Sequence, residues 1–152
     1  MHVLMLLARA DPAAARALCG ALRQGIADDR IWVYYQMAPL VPILRQADLR
    51  KARCPMRLPA ARLRTSVPGQ ESWVAAGLLL ERFLEEGSSK PSSIETVDLL
   101  RALSADDFSL LRRSPPLIYH NDLTASVKRF YWSEEFGYAL WLRIYLENAR
   151  KR

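Results

Sequence analysis

Signals that start and stop helices recur along this chain, and they constrain its fold more tightly than any motif it carries. Asp11-Pro12 opens a helix, because Asp suits the N-cap and Pro the first helical position, and Gly25 offers a C-cap. Pro42 can start another helix that runs through Arg53 and halts at Pro55. Between Glu71 and Glu86, Trp73, Gly77, Leu80 and Leu84 stack on one face with Glu81, Arg82, Glu85 and Glu86 opposite, and Gly87 ends the pattern. Two capping boxes follow: Ser92 with Glu95 predicts a helix over 94–103, and Ser104 with Asp107 predicts one over 105–113. Pro115-Pro116 stops that run, and Asn121 or Asp122 can cap a long last helix over 122–150.

The expected fold is therefore mainly α, a single-domain helical bundle of five or six helices spanning residues 1–152. That length suffices to bury one core. Trp73, Leu80, Leu84, Phe130 and Trp141 are its expected members. The alternative is a short β element before residue 38: Met1 to Ala8 is too short for periodicity to decide, and Ile31 to Met37, IWVYYQM, is rich in β-branched and aromatic residues. The loop at 87–93, GSSKPSS, has little to bury and reads as a flexible connection.

Charge is distributed unevenly. Residues 1–70 hold 11 basic and 4 acidic side chains, whereas residues 71–152 hold 11 and 12. The excess lies in Arg45 to Arg64, where Arg45, Arg50, Lys51, Arg53, Arg57, Arg62 and Arg64 face the single acid Asp48, a local +6 that equals the net charge of the whole chain. On the expected helix Arg45, Gln46, Arg50 and Arg53 share a face. Cations late in a helix complement its dipole, but Arg57, Arg62 and Arg64 follow in a proline-punctuated loop whose folding does not need them. A surface of this kind fits an anionic partner such as nucleic acid.

Seven of the fourteen aromatic residues fall in the expected last helix. Val127, Phe130, Tyr131, Tyr138, Trp141 and Tyr145 make one stripe, assigned to the core. Trp132 and Phe136 lie opposite it with Arg129 and Arg143, and these four are the expected contact for a protein partner.

Specific chemistry is scarce. The sequence contains no GxxxxGK[ST], GxGxxG, GxSxG or HExxH, and no metal or cofactor motif. Cys19 and Cys54, 35 positions apart and without a second pair, indicate neither a disulfide framework nor a zinc site, so two reduced thiols in a cytoplasmic protein are expected. The longest apolar stretch, Ile31 to Leu44, is too short for a bilayer and holds two prolines, so no membrane association is expected. Arg113 and His120 stand at an R-x6-H spacing that resembles the motif of HEPN-type ribonucleases, an all-helical family in which such an Arg and His act on RNA; the likeness covers these two residues, and Pro115 and Pro116 fall between them. The favoured expectation is a non-enzymatic accessory subunit that contacts nucleic-acid phosphates through Arg45 to Arg64 and a protein through its C-terminal helix. An adaptor or chaperone for an acidic partner comes second, and the RNase implied by the resemblance third.

Overall fold

The computed structural model describes residues 2–85 and 91–150, so positions 87–90 of the expected flexible loop lie outside the described residues. The chain is mainly helical, as its caps and stops predict. The helices are α1 (His2–Ala10), α2 (Pro12–Ala27), α3 (Leu40–Lys51), α4 (Glu71–Leu84), α5 (Ser93–Arg113) and α6 (Glu134–Ala149). A two-stranded antiparallel sheet, β1 (Leu117–His120) with β2 (Phe130–Trp132), separates α5 from α6.

The β element thus exists, but not before residue 38. IWVYYQM forms a 3-10 turn over Arg30–Tyr34 instead. With residues 2–10 helical, this segment has no neighbouring strand to pair with, and Trp32 is buried in the core. The strands lie inside the span assigned to the last helix, which begins only at Glu134 and is capped by Ser133, whose hydroxyl accepts from the Phe136 N–H at 3.0 Å. Asn121 caps nothing. It closes the hairpin loop: its N–H donates to the Arg129 carbonyl at 3.0 Å, its Oδ1 accepts from the Arg129 N–H at 2.6 Å, and its Nδ2 donates to the Val127 carbonyl at 2.8 Å. Asx side chains serve turns as readily as caps, and here Asn121 serves the turn. Phe130, expected in the core, accordingly stands on β2 with 37% exposure.

The expected boxes are only partly made. Ser92 accepts from the Glu95 N–H at 3.0 Å, while the Glu95 carboxylate turns to Arg82 at 2.7 Å. Ser104 does not cap; its hydroxyl donates to the Leu100 carbonyl at 2.9 Å. After it α5 breaks at Ala105, and Asp106, Asp107 and Phe108 take left-handed φ of 48°, 52° and 58°. Such backbone costs about 1–2 kcal/mol per non-glycine residue. It carries Phe108 against Tyr138 and Trp141, with ring centroids 5.1 and 5.2 Å away.

Two clusters of buried side chains replace the single expected core. The first joins α1 and α2 to α3 through Leu4, Cys19, Trp32, Ile43, Leu49 and Cys54, and the second joins α4 to α5 and α6 through Trp73, Leu79, Leu80, Leu103, Leu111 and Ile144. The α3–α4 pair serves both: Val74 faces the first cluster, and Leu40 the second. Of the other expected core members, Trp73 and Leu80 are buried, and Leu84 and Trp141 are partly buried.

Gly77 lets α3 and α4 close, since a Cβ there would stand 2.6 Å from Leu40 Cδ1. Gly137 similarly seats α6 on Leu111 and Pro116. Gly137→Ala should therefore destabilise the fold by about 1–3 kcal/mol through overpacking, although Ala is the better helix former. Urea unfolding would measure this, and a stabilised variant would show that α6 does not pack so closely.

Arg50 and Glu81 link α3 to α4 in an ion pair whose side chains are 27% and 11% exposed. Burial raises the Glu81 carboxyl above its usual 4.5, and the opposing pull of Arg50 does not overcome it. The folded protein therefore keeps this proton to higher pH than the unfolded chain does, and the stability contributed by Glu81 falls as pH rises from 4.5 through the raised value. Glu81→Gln should remove that component of the pH dependence. Unfolding midpoints that decline identically in both proteins across this range would contradict it.

Candidate anion-binding surface

The seven cations of Arg45 to Arg64 divide into two groups. Arg45 pairs with Asp48 at 2.8 Å, Arg50 with Glu81, and Arg62 with Asp29 at 2.6 Å while lying 5.7 Å from the Trp32 ring centroid. These three brace the fold. Lys51, Arg53, Arg57 and Arg64 are exposed, and no ion pair engages them among the described residues.

Backbone conformation explains the second group. From 51 to 58 burial alternates residue by residue: Lys51, Arg53, Pro55 and Arg57 are exposed, and Ala52, Cys54, Met56 and Leu58 are buried. The first of these positions end α3, where Lys51 is the last helical residue and Arg53 takes a left-handed φ of 55°, and from Cys54 the chain runs on without regular structure, turning successive side chains to opposite sides. The segment is thus a strap with an apolar underside and a basic outer face. Three fastenings hold it. Cys54 is bonded to Cys19 of α2, with Cα atoms 5.7 Å apart; Arg23 Nη2 donates to the Pro55 carbonyl at 3.1 Å; and the Leu58 N–H donates to Gln46 Oε1 at 3.2 Å. The disulfide corrects the expectation of two reduced thiols, because the fold places side by side two residues whose spacing gave no sign of it. Gln46, expected on the basic face, is buried beneath the strap.

The disulfide also brings up cations from outside the Arg45 to Arg64 stretch. A groove of about 820 Å³ runs between α2 and the start of the strap, walled by Arg16, Arg23 and Arg53 and floored by Ala15, Cys19, Gly20 and Ala52. No acidic side chain lines it. Adjoining hollows of about 310 and 250 Å³ extend it to Arg9 and Lys51 on one side, where Asp48, the partner of Arg45, also lines the wall, and to Arg57 on the other. The seven-residue spacing of Arg16 and Arg23, with Gly20 between them, was the available signal, since it puts all three on one helical face. Gly20 has no packing reason to be glycine: a Cβ there would meet nothing within 4 Å. Guanidinium groups around such a floor can bind a phosphate bidentately while the bare backbone allows close approach.

The expected partner-binding residues do not share a face. Arg129 and Trp132 are exposed on the hairpin, Phe136 packs half-buried against the second core cluster, and Arg143 is paired with Glu147 at 2.6 Å. The outward side of α6 instead presents Leu142 and Leu146 together with Tyr138 and Tyr145, two tyrosines expected in the core but 39% and 50% exposed.

His120 is fully buried. Its Nε2 accepts from the Met37 N–H at 3.1 Å, so the proton is on Nδ1, which donates to the Asn121 carbonyl at 2.8 Å. Arg113 is exposed at the end of α5 and donates to the Ser109 hydroxyl at 3.0 Å. With both ring nitrogens engaged, His120 offers no atom to an RNA. Among the described residues no group of three or more His, Cys, Asp or Glu could hold a metal, and no helix is long and apolar enough to cross a membrane. Comparison with family models, with curated proteins and with solved structures gives no match.

Gly20→Ala should stabilise the protein by about 0.5–1 kcal/mol, since an exposed helix interior favours Ala and nothing stands in its way. A loss of stability would mean that the groove floor is packed by something.

Proposed function

We propose that this chain is a non-enzymatic accessory subunit that grips nucleic-acid phosphates with the strap and the groove beside it, and meets a protein partner with the outward face of its C-terminal region. The observation that carries this reading is the alternation of residues 51–58, which turns every charged side chain of the strap outward while its apolar side chains anchor it. Together with Arg9, Arg16 and Arg23, these cations form one contiguous basic surface, the footprint expected of a phosphate binder. A cytoplasmic site of action, the expectation from two free thiols, would require the disulfide to withstand a reducing pool. Cys54 is fully buried and Cys19 is 8% exposed, which hinders attack by an external thiolate.

Binding to single- or double-stranded oligonucleotides across a salt series tests the reading. Each phosphate neutralised contributes about 0.7–0.9 to the slope of log affinity against log salt. Replacing Lys51, Arg53, Arg57 and Arg64 by Gln should flatten that slope by up to about three units and leave the melting temperature nearly unchanged. Gly20→Ala, whose methyl group raises the groove floor, should weaken binding while stabilising the fold. An unchanged slope in the quadruple variant, or no binding by the parent chain at low salt, would overturn the reading. Salt-sensitive binding of an acidic protein alone would move the surface to an adaptor role.

A further inference from the structure

Helices α5 and α6 leave a groove of about 390 Å³ between them, a size that suits a small molecule. Val97 and Leu100 line it from α5, and Trp141, Tyr145 and Ala149 from α6. The Trp141 indole is held from two directions: its Nε1 donates to the Leu100 carbonyl at 3.1 Å, and Phe108 meets it edge to face with ring centroids 5.2 Å apart. The Tyr145 ring lies nearly parallel to the indole, at 10° with centroids 5.5 Å apart, so this wall is a pair of aligned flat rings.

Asn148 brings the polar group. Six polar or charged side chains are buried among the described residues, and five of them, Gln46, Gln70, Glu81, Thr96 and His120, are hydrogen-bonded or ion-paired within the protein. The sixth is Asn148, 9% exposed, which lines the groove and whose carboxamide no hydrogen bond engages among the described residues. A buried amide left unpaired costs about 1–3 kcal/mol, which a bound partner would offset. The rest of the lining is neutral or already engaged. The Ser104 hydroxyl donates to the Leu100 carbonyl at 2.9 Å, and Arg101, the one charged side chain of the groove, is paired with Asp98 at 3.0 Å.

We infer that this groove binds the base of a free nucleoside of the aminopurine type. Three features select that chemistry. The aligned rings of Trp141 and Tyr145 favour a flat heterocycle that continues their stack. The Asn148 carboxamide holds a donor beside an acceptor, and the edge that satisfies both carries an acceptor beside a donor, as adenine does at N7 and N6. With no acid and no unpaired cation in its lining, the groove selects an uncharged ligand and offers no contact to the phosphates of a strand. The inference goes beyond the proposed phosphate binding and is independent of it: Leu100 and Trp141 belong to the second core cluster, whereas the strap is anchored on the first.

Nuclear magnetic resonance of the full chain, with its disulfide intact, tests this by titration with adenosine. The Asn148 side-chain amide and the Trp141 indole signals should shift and saturate with a Kd of about 0.1–1 mM. Purine riboside, which lacks the exocyclic donor, should bind about tenfold or more weaker. Asn148→Leu should bring adenosine down to the affinity of purine riboside without lowering the unfolding midpoint, because it removes an unpaired buried amide. Tyr145→Leu, at a half-exposed position, keeps the groove apolar but removes a ring, and should weaken adenosine about fivefold or more. Absence of saturable shifts in the groove at 5 mM adenosine (about five times the upper Kd expected) would overturn the inference. So would equal affinity for the two nucleosides, an affinity that neither variant lowers, or adenosine shifts confined to the strap.

Discussion

The bond between Cys19 and Cys54 is the constraint on which the basic surface depends. Ala52, Arg53 and Cys54 donate their backbone N–H groups to the last turns of α3, but beyond Cys54 the strap forms no helix and pairs with no strand up to Leu58, so it is fastened there by side chains. Hydrophobic anchoring by Met56 and Leu58 supplies part of the hold, and the hydrogen bonds from Arg23 and to Gln46 supply more, each about 0.5–1.5 kcal/mol net. The covalent link closes a loop of 35 positions, which in the chain-entropy picture removes about 3–4 kcal/mol of freedom from the unfolded chain. It also fixes which cations meet, because α2 and the strap then share one surface.

Behind this surface the α3–α4 pair acts as a spine. Small side chains let the two helices approach, and the Arg50–Glu81 pair crosses between them. Gln70 and Trp73, at the start of α4, reach to the far half of the chain: Gln70 donates to the Pro115 carbonyl at 3.0 Å and accepts from the Leu117 N–H at 2.7 Å, and Trp73 Nε1 donates to the Ser114 carbonyl at 2.8 Å. His120 does the same in reverse by accepting from Met37. Polar side chains, each bonded to backbone of a distant segment, thus tie the hairpin and the end of α5 to α4 and to the segment before α3, and the buried His120 is one of these ties.

What could be read from the chain alone follows from the range of the forces involved. Asp11-Pro12, Ser92 and the apolar face of α4 act within a turn or two, and those helices lie where local rules put them. The strands at 117–132 depend on pairing across a loop, and the left-handed turn after Ser104 depends on Phe108 reaching Tyr138 and Trp141; neither cause is visible in a local window. The basic stretch was evident as composition, but which of its members are exposed was not. Arg45, Arg50 and Arg62 are taken up by acids as near as Asp48 and as far as Glu81 and Asp29, and only the folded chain shows that Lys51, Arg53, Arg57 and Arg64 remain on the surface. Cations from α2 join them through a disulfide that spacing alone did not announce.

In the proposed function the strap, tied down by this disulfide, organises the anion-binding surface. The most direct measurement is the affinity of the full chain for a single-stranded oligonucleotide, with its salt slope, before and after reduction of the bond, alongside hydrogen exchange of residues 51–64. Reduction should loosen the strap, raise exchange there and weaken binding with a shallower slope, while the helices of the second cluster keep their protection. Equal affinity and slope in the oxidised and reduced forms, with the strap demonstrably loosened, would contradict it.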